Sequence, residues 1–247
     1  SRKPKVSAFS QGPLPGLPTT AAEVAAALPA LPGDIAGDIA LAHTAPPEDI
    51  DYDMVQAIVE MVHGSGEEGG ILIFMPGWAE ITETLKRLEG SVVGHQLQVI
   101  PLHSRMPTAE QQTIFQPPPR GKRKVIVSTI LAETSITVED VVFVIDTGRS
   151  RSTFFNEESK VSALRTVWYS KANGFQRRGR SGRCRPGKWF RLYSSLQWEA
   201  MDEYELPEML RSPLEELCLE VAQLHLGPPA IFLKSTISPP QKEVVDH

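Results

Sequence analysis

Cysteine is almost missing from this chain. The 247 residues hold two, Cys184 and Cys218. Their separation matches neither a metal-ligand spacing nor a disulfide framework. No metal site is therefore expected, and a reducing intracellular compartment is the expected home, whether cytoplasm, nucleus or mitochondrion. Long apolar runs are missing too. None approaches the ~18 residues of a membrane-spanning helix, which excludes the membrane as a partner. The opening SRKPKVSAFSQGPLP has neither the apolar centre nor the cleavage pattern of a secretory signal. It also lacks an initiator Met, and the chain is expected to be a piece of a longer protein.

Positive charge is scarce overall, with 25 Lys or Arg against 30 Asp or Glu, but it is unevenly spread. Between Arg120 and Arg191 there are 16 basic and 6 acidic residues, against 9 and 24 in the remainder. That middle segment is expected to face something anionic.

Residues 1–43 carry six prolines among short Pro- and Ala-rich patches. They read as a poorly ordered insertion or linker with one short helix near Thr20 to Leu28. Order is expected from about residue 44. Tyr52, Val55, Val59 and Val62 fall at helical spacing. Apolar strand-like runs follow at 70–75, 97–102, 124–129, 141–146 and 188–193. Between them, Trp78, Ile81, Leu85 and Leu88 mark an amphipathic helix. Thr108 with Gln111 reads as a capping box opening a helix that ends near Phe115. Short apolar strands alternating with helices imply an α/β fold, a parallel sheet covered on both faces. Its ligands would sit beyond the carboxyl ends of the strands. Residues 147–171 alternate polar and apolar around the turn-like NEESK and read as a projecting β-hairpin. Ser212-Pro213-Leu214-Glu215 combines an N-cap, a first-turn Pro and a capping-box Glu, followed by Leu214, Leu217, Val221 and Leu224 on one helical face.

The most concentrated charge is QRRGRSGRCRPG (176–187), with five arginines between Arg177 and Arg185. Gln176, Arg180 and Arg183 lie at i, i+4 and i+7. On a helix they share a face, and a Gln with two Arg makes a donor set suited to phosphate oxygens. Arg177, Arg178 and Arg185 then point elsewhere, as a general positive field. The competing reading is a solvated basic helix. Gly179 and Gly182 weigh against it, since each glycine costs a helix roughly 1 kcal/mol.

QRRGRSGR resembles motif VI of superfamily 2 helicases, most closely the DEAH/RHA RNA helicases. The other blocks agree in order. ILIFMPGWAEI (71–81) resembles motif IV, PLHSRMPTAEQQTIF (101–115) motif IVa, and STILAETSITVEDVVFVID (128–146) motif V. LPEMLRSPLEELCL (206–219) is similar to the entry into the winged-helix domain that follows. Five ordered blocks over about residues 45–241 make the resemblance specific. It implies a RecA-like second lobe over 44–205 and the first helices of a winged-helix domain over 206–247.

The family couples ATP hydrolysis to 3′-to-5′ movement on RNA, with ATP and Mg²⁺ held mainly by a first lobe. This chain contains neither GxxxxGK[ST] nor a DEAH box, so alone it is expected to be inactive. The resemblance places Gln176, Arg180 and Arg183 at the γ-phosphate, with the arginines as fingers. It places Phe115 on the adenine, Thr137 and Glu139 near ribose and metal-bound water, and Ser135 as a sensor of nucleotide state. Asp is the commoner residue where Glu139 stands. On the nucleic-acid side it places Thr129 on the backbone phosphate of a single RNA strand. Arg149 and Arg151, on the hairpin, are also expected to contact RNA. His103 and Ser104 stand where motif IVa leaves its strand, and His103 also reads as a structural histidine. Ile130 replaces the usual motif V Asn, and an apolar group cannot donate to phosphate.

Two further readings stay open. One is a catalytically degenerate scaffold in a ribonucleoprotein assembly, suggested by Ile130 and the Pro/Ala-rich start. The other is a DNA-directed helicase, since backbone contacts do not separate RNA from DNA. The partners implied are RNA, the first lobe and the C-terminal domains of the same protein.

Overall fold

The structure, a computed structural model, describes residues 12–32, 34–134, 138–156, 161–183, 185–207, 214–236 and 239. The chain divides into two compact units, Ser1–Arg151 with Thr166–Tyr204, and Ser152–Arg165 with Glu205–His247.

The apolar runs form strands β1 (Gly70–Phe74), β2 (Leu97–Leu102), β3 (Arg123–Ser128) and β4 (Val141–Asp146). β5 (Arg149–Asn156) and β6 (Val161–Trp168) pair as a separate two-stranded sheet. β7 (Lys188–Arg191) completes a five-stranded sheet of order β2-β3-β1-β4-β7, parallel throughout. All residues of β1 and β4 are buried, as continuous apolar runs in a two-sided parallel sheet must be.

Register sorts the strand residues onto two faces. Ile71 stands beside Val125 and Phe143, and Ile73 beside Val127 and Ile145. This face packs on α3 (Tyr52–Gly64) and α4 (Trp78–Glu89) through Val55, Val59, Val62, Ile81 and Leu88. Leu72, Phe74, Ile126 and Val144 form the opposite face, packed on Ile114 and Ala132. Burying each such aliphatic side chain contributes about 1.5–3 kcal/mol. Truncating the fully buried Ile73 to Ala would cost about 2–5 kcal/mol, because the neighbours cannot close the gap.

The helix between β2 and β3 departs from expectation. The α-helix α5 spans Thr108–Gln111 and tightens into a 3-10 turn over Gln112–Phe115. Its N-cap is Pro107, not Thr108. The Pro107 carbonyl accepts from Glu110 and Gln111 at 3.0 and 3.1 Å, and Gln111 Nε2 donates to Met106 O instead of closing a box.

The N-terminal stretch holds more structure than its composition suggests. α1 (Ala21–Ala27) carries a complete capping box from Thr20 and Glu23. A second helix that the sequence reading missed, α2 (Ile35–Thr44), packs Ala36 and Ala40 on Val24. Leu14 enters a cluster with Trp168, Tyr169, Tyr193 and Met201. The buried His43 bridges Pro18 O (2.7 Å) and Ser194 Oγ (2.8 Å).

α6 (Leu131–Thr134) follows β3, and α7 (Lys171–Arg178) and α8 (Ser195–Ala200) flank β7. In the second unit, α9 (Glu215–Gln223) and α10 (Pro229–Lys234) bury Leu214, Val221 and Leu233. Leu224, expected on the buried face, is the exposed C-cap of α9. Ser212 and Pro213 lie outside the described residues.

Candidate functional site

The carboxyl ends of β1 to β4 carry the sequence blocks singled out above. β3 runs into Thr129, which is buried, its amide bonded to Leu102 O at 3.3 Å at the end of β2. Ile130 follows, half exposed at 50%. α6 then brings in Glu133, a fully buried carboxylate. Ser135 and Thr137 lie outside the described residues. Glu139 is exposed.

The arginine stretch is not one helix. α7 ends at Arg178, and Gly179 is its C-cap. Arg180 and Ser181 continue as a turn, their amides bonded to Arg177 O and Arg178 O. Gly182 turns left-handed at φ +83°, which suits a residue with no Cβ. Only Gln176 of the three expected donors is helical, and it is exposed. Arg180 is partly buried and donates from Nη2 to Glu133 O. Arg183 is exposed and donates to Gly179 O at 3.4 Å. Both arginines line one small depression floored by Leu72, Ile126 and Ala132, so the turn, not a helix face, brings them together. Burial, then the neighbouring Arg183, holds the Arg180 pKa below its usual value.

Phe115 ends the 3-10 turn as a residue 55% exposed, directly after Ile114, which is part of the same apolar layer. That exposure leaves the ring free to stack on a planar ligand.

Arg177 corrects the reading of a general positive field. It is 1% exposed and sits at the centre of a buried network. Nε donates to Glu133 Oε1 at 2.5 Å, Nη1 to Asp146 Oδ1 at 2.8 Å, and Nη2 to Arg149 O at 3.0 Å. The guanidinium also lies 4.7 Å from the ring centre of Phe74 and 4.5 Å from that of Tyr169. Burial pulls its pKa down most strongly, but Glu133 and Asp146 together outweigh that, and the net shift is upward. Asp146 is saturated with donors. Gly148 N joins Arg177 on Oδ1 at 3.0 Å, while Tyr169 OH (2.7 Å) and Trp189 Nε1 (3.1 Å) meet Oδ2. Gly148 is required where it stands: φ is +74°, and a Cβ would lie 2.6 Å from Tyr193. None of Glu133, Asp146 or Tyr169 was singled out from sequence as a functional residue. The signal available was a carboxylate ending the apolar run VVFVID, since a buried charge needs a partner.

Arg149 also departs from expectation. Its side chain is 5% exposed, donates to Pro47 O and Thr147 O, and lies 3.1 Å from the Trp168 ring centre. Burial pushes its pKa down to about 9. Its donors are thus turned inward, not toward solvent as the expected RNA contact would require. Arg151 is exposed and paired with Glu80 at 2.9 Å. His103 packs edge-on against the half-exposed Trp78, 5.5 Å between ring centres, and its Nδ1 accepts from Arg105 N. Burial, then Arg105 and Arg151, holds its pKa below the usual histidine value. Ser104 is exposed.

The helicase conserved C-terminal domain model matches residues 53–185. The chain belongs to that family. It is 43% identical over 200 residues to the ATP-dependent DNA/RNA helicase DHX36 of Bos taurus, covering 80% of this chain and 20% of that protein. It is 40% identical over 201 residues to the ATP-dependent RNA helicase DExH1 of Arabidopsis thaliana, covering again 80% and 20%. The crystal structure of the Escherichia coli DEAH/RHA helicase HrpB superposes with a TM-score of 0.70 at 30% identity, covering 81% of this chain and 26% of that one. The chain is therefore a C-terminal, RecA-like helicase lobe of the DEAH/RHA type, and it spans about a fifth of the length of the curated relatives it matches.

Proposed function

We propose that this chain is the second lobe of an ATP-dependent 3′-to-5′ RNA helicase and completes a nucleotide site whose other half lies on a first lobe. The observation that carries the reading is the pair Arg180 and Arg183 on the turn after α7, lining one depression beside the Glu133 turn. Two guanidiniums so placed can stabilise charge developing on a transferred phosphoryl group. Phe115, exposed above the same apolar layer, fits the base, and stacking binds a base with little selectivity. ATP and Mg²⁺ would be held mainly by the first lobe. Gln176 would reach the same phosphate, and Ser135, Thr137 and Glu139 would border ribose and metal-bound water.

Thr129 and Arg151 are the proposed contacts to the RNA backbone, at the strand ends and the start of β5 respectively. Such contacts position a strand without reading its sequence. The alternative, a degenerate scaffold, draws support from the exposed Ile130, which offers no donor where a phosphate would lie.

In the full-length protein, Arg180→Ala or Arg183→Ala should lower RNA-stimulated ATP hydrolysis by about 10³-fold, the scale of losing an arginine finger. Nucleotide binding should persist. Unchanged hydrolysis would remove the finger assignment. A wild type that binds RNA without hydrolysing ATP would favour the scaffold. Equal stimulation by matched DNA would broaden the substrate beyond RNA.

A further inference from the structure

The buried network around Arg177 does more than neutralise charge, because its partners belong to segments with different tasks. Glu133 lies on α6, the short helix after β3, and its carbonyl takes the Arg180 guanidinium. Its carboxylate takes Arg177 Nε at 2.5 Å and Asn173 Nδ2 at 3.2 Å, both from α7. Asp146 ends β4. Arg149 O, the third acceptor, is the first carbonyl of β5. One rigid, planar guanidinium thus joins the turn that holds Arg180 to the root of the β5–β6 hairpin.

We propose that Arg177 is a positioning residue that couples the nucleotide-facing Arg180 turn to the root of the hairpin, so that a shift at one end is felt at the other. The proposal rests on the nucleotide reading of Arg180.

Three features make the link stiff. The fork geometry fixes Nε, Nη1 and Nη2 relative to one another, so Glu133, Asp146 and Arg149 O cannot move independently without breaking a charge-assisted bond. Asp146 is braced from the other side by Tyr169 OH, which also meets Tyr193 OH at 2.5 Å. Tyr169 N returns to Gly148 O at 3.2 Å, closing the root of the hairpin on both of its strands. Phe74 and Tyr169 cover the guanidinium, leaving water no access to take over a released donor. A lysine could keep the charge, but as a single point it could not span three separate acceptors.

The test uses the full-length protein with Arg177→Lys. ATP and RNA affinities should stay within about threefold of wild type. RNA stimulation of hydrolysis, and strand separation per ATP consumed, should fall by about tenfold, the scale of a typical coupling between sites. A purely structural role would move all four quantities with stability, and that outcome, or wild-type coupling in Arg177→Lys, overturns the proposal.

A second readout does not depend on hydrolysis. Amide exchange at residues 147–151 should rise on Arg180→Ala in the wild-type background and not respond in the Arg177→Lys background. An equal response in both backgrounds, or none in either, overturns the coupling even if the protein hydrolyses ATP. Conversely, a wild type without ATPase activity sinks the nucleotide reading while the exchange experiment still decides the coupling. If Arg177→Lys does not fold, Tyr169→Phe replaces it. It removes one brace from Asp146, and the response at 147–151 should be reduced; an undiminished response overturns the proposal.

Discussion

Glu133→Gln tests the buried charge network where the substitution is smallest. The shape is conserved, and the new amide oxygen can still accept from Arg177 Nε. What is lost is one of two negative charges facing a guanidinium that is 1% exposed, together with the second carboxylate oxygen that accepts from Asn173 Nδ2. Breaking a buried ion pair costs about 3–5 kcal/mol. The retained acceptor and the second carboxylate, Asp146, put Glu133→Gln near the lower end, at about 3 kcal/mol. Asp146→Asn should cost more, about 5 kcal/mol. Its oxygens receive four donors, and the new NH₂ would point a donor at Tyr169 OH and Trp189 Nε1 or at Arg177 and Gly148 N. The control is Asp53→Asn, which removes the exposed partner of Arg87 and should leave the midpoint nearly unchanged. Urea unfolding followed by tryptophan fluorescence suits this comparison, since Trp168 and Trp189 border the network. With a slope of about 2 kcal/mol/M, Glu133→Gln should lower the midpoint by about 1.5 M. A midpoint shift no larger than that of Asp53→Asn would refute the assignment of Glu133 and Arg177 as a buried, mutually dependent pair.

Phe115→Ala should raise the KM for ATP about tenfold or more, the scale of one lost base–aromatic stack, with kcat and the melting temperature little changed because the ring is mostly exposed. Gly174→Ala should destabilise by about 1–3 kcal/mol, read as a lower urea midpoint, because its Cβ would stand 2.6 Å from Trp198 and 2.9 Å from Tyr169. Burial, with Asp146 second, raises the folded pKa of Tyr169 and of Tyr193 above 10. Each therefore contributes stability that is complete below pH 10 and is lost above it, by up to about 1.4 kcal/mol per pH unit. Melts of wild type and Tyr193→Phe between pH 8 and 11 should show the steeper alkaline decline in wild type.

The parallel sheet was legible in the sequence because its strands are continuous apolar runs of five or six residues, and burial on both faces allows little else. The N-terminal stretch was not. Its prolines break the periodicity, and its order comes from single insertions, Leu14 into an aromatic cluster and His43 onto Ser194, made with residues more than 150 positions away. The arginine stretch failed more instructively. A spacing of i, i+4 and i+7 identifies a face only while the helix continues, and here it stops at Gly179. Arg180 and Arg183 still lie together because the turn through Gly182 folds the chain back. Arg177 was assigned to a general positive field because five clustered arginines look alike in sequence. What distinguishes it is two carboxylates, 31 and 44 positions earlier, that reach the interior and require a cation between them. Burial of a charge is a property of its partners, so the residue hardest to read from the stretch is the one most tightly held by the fold.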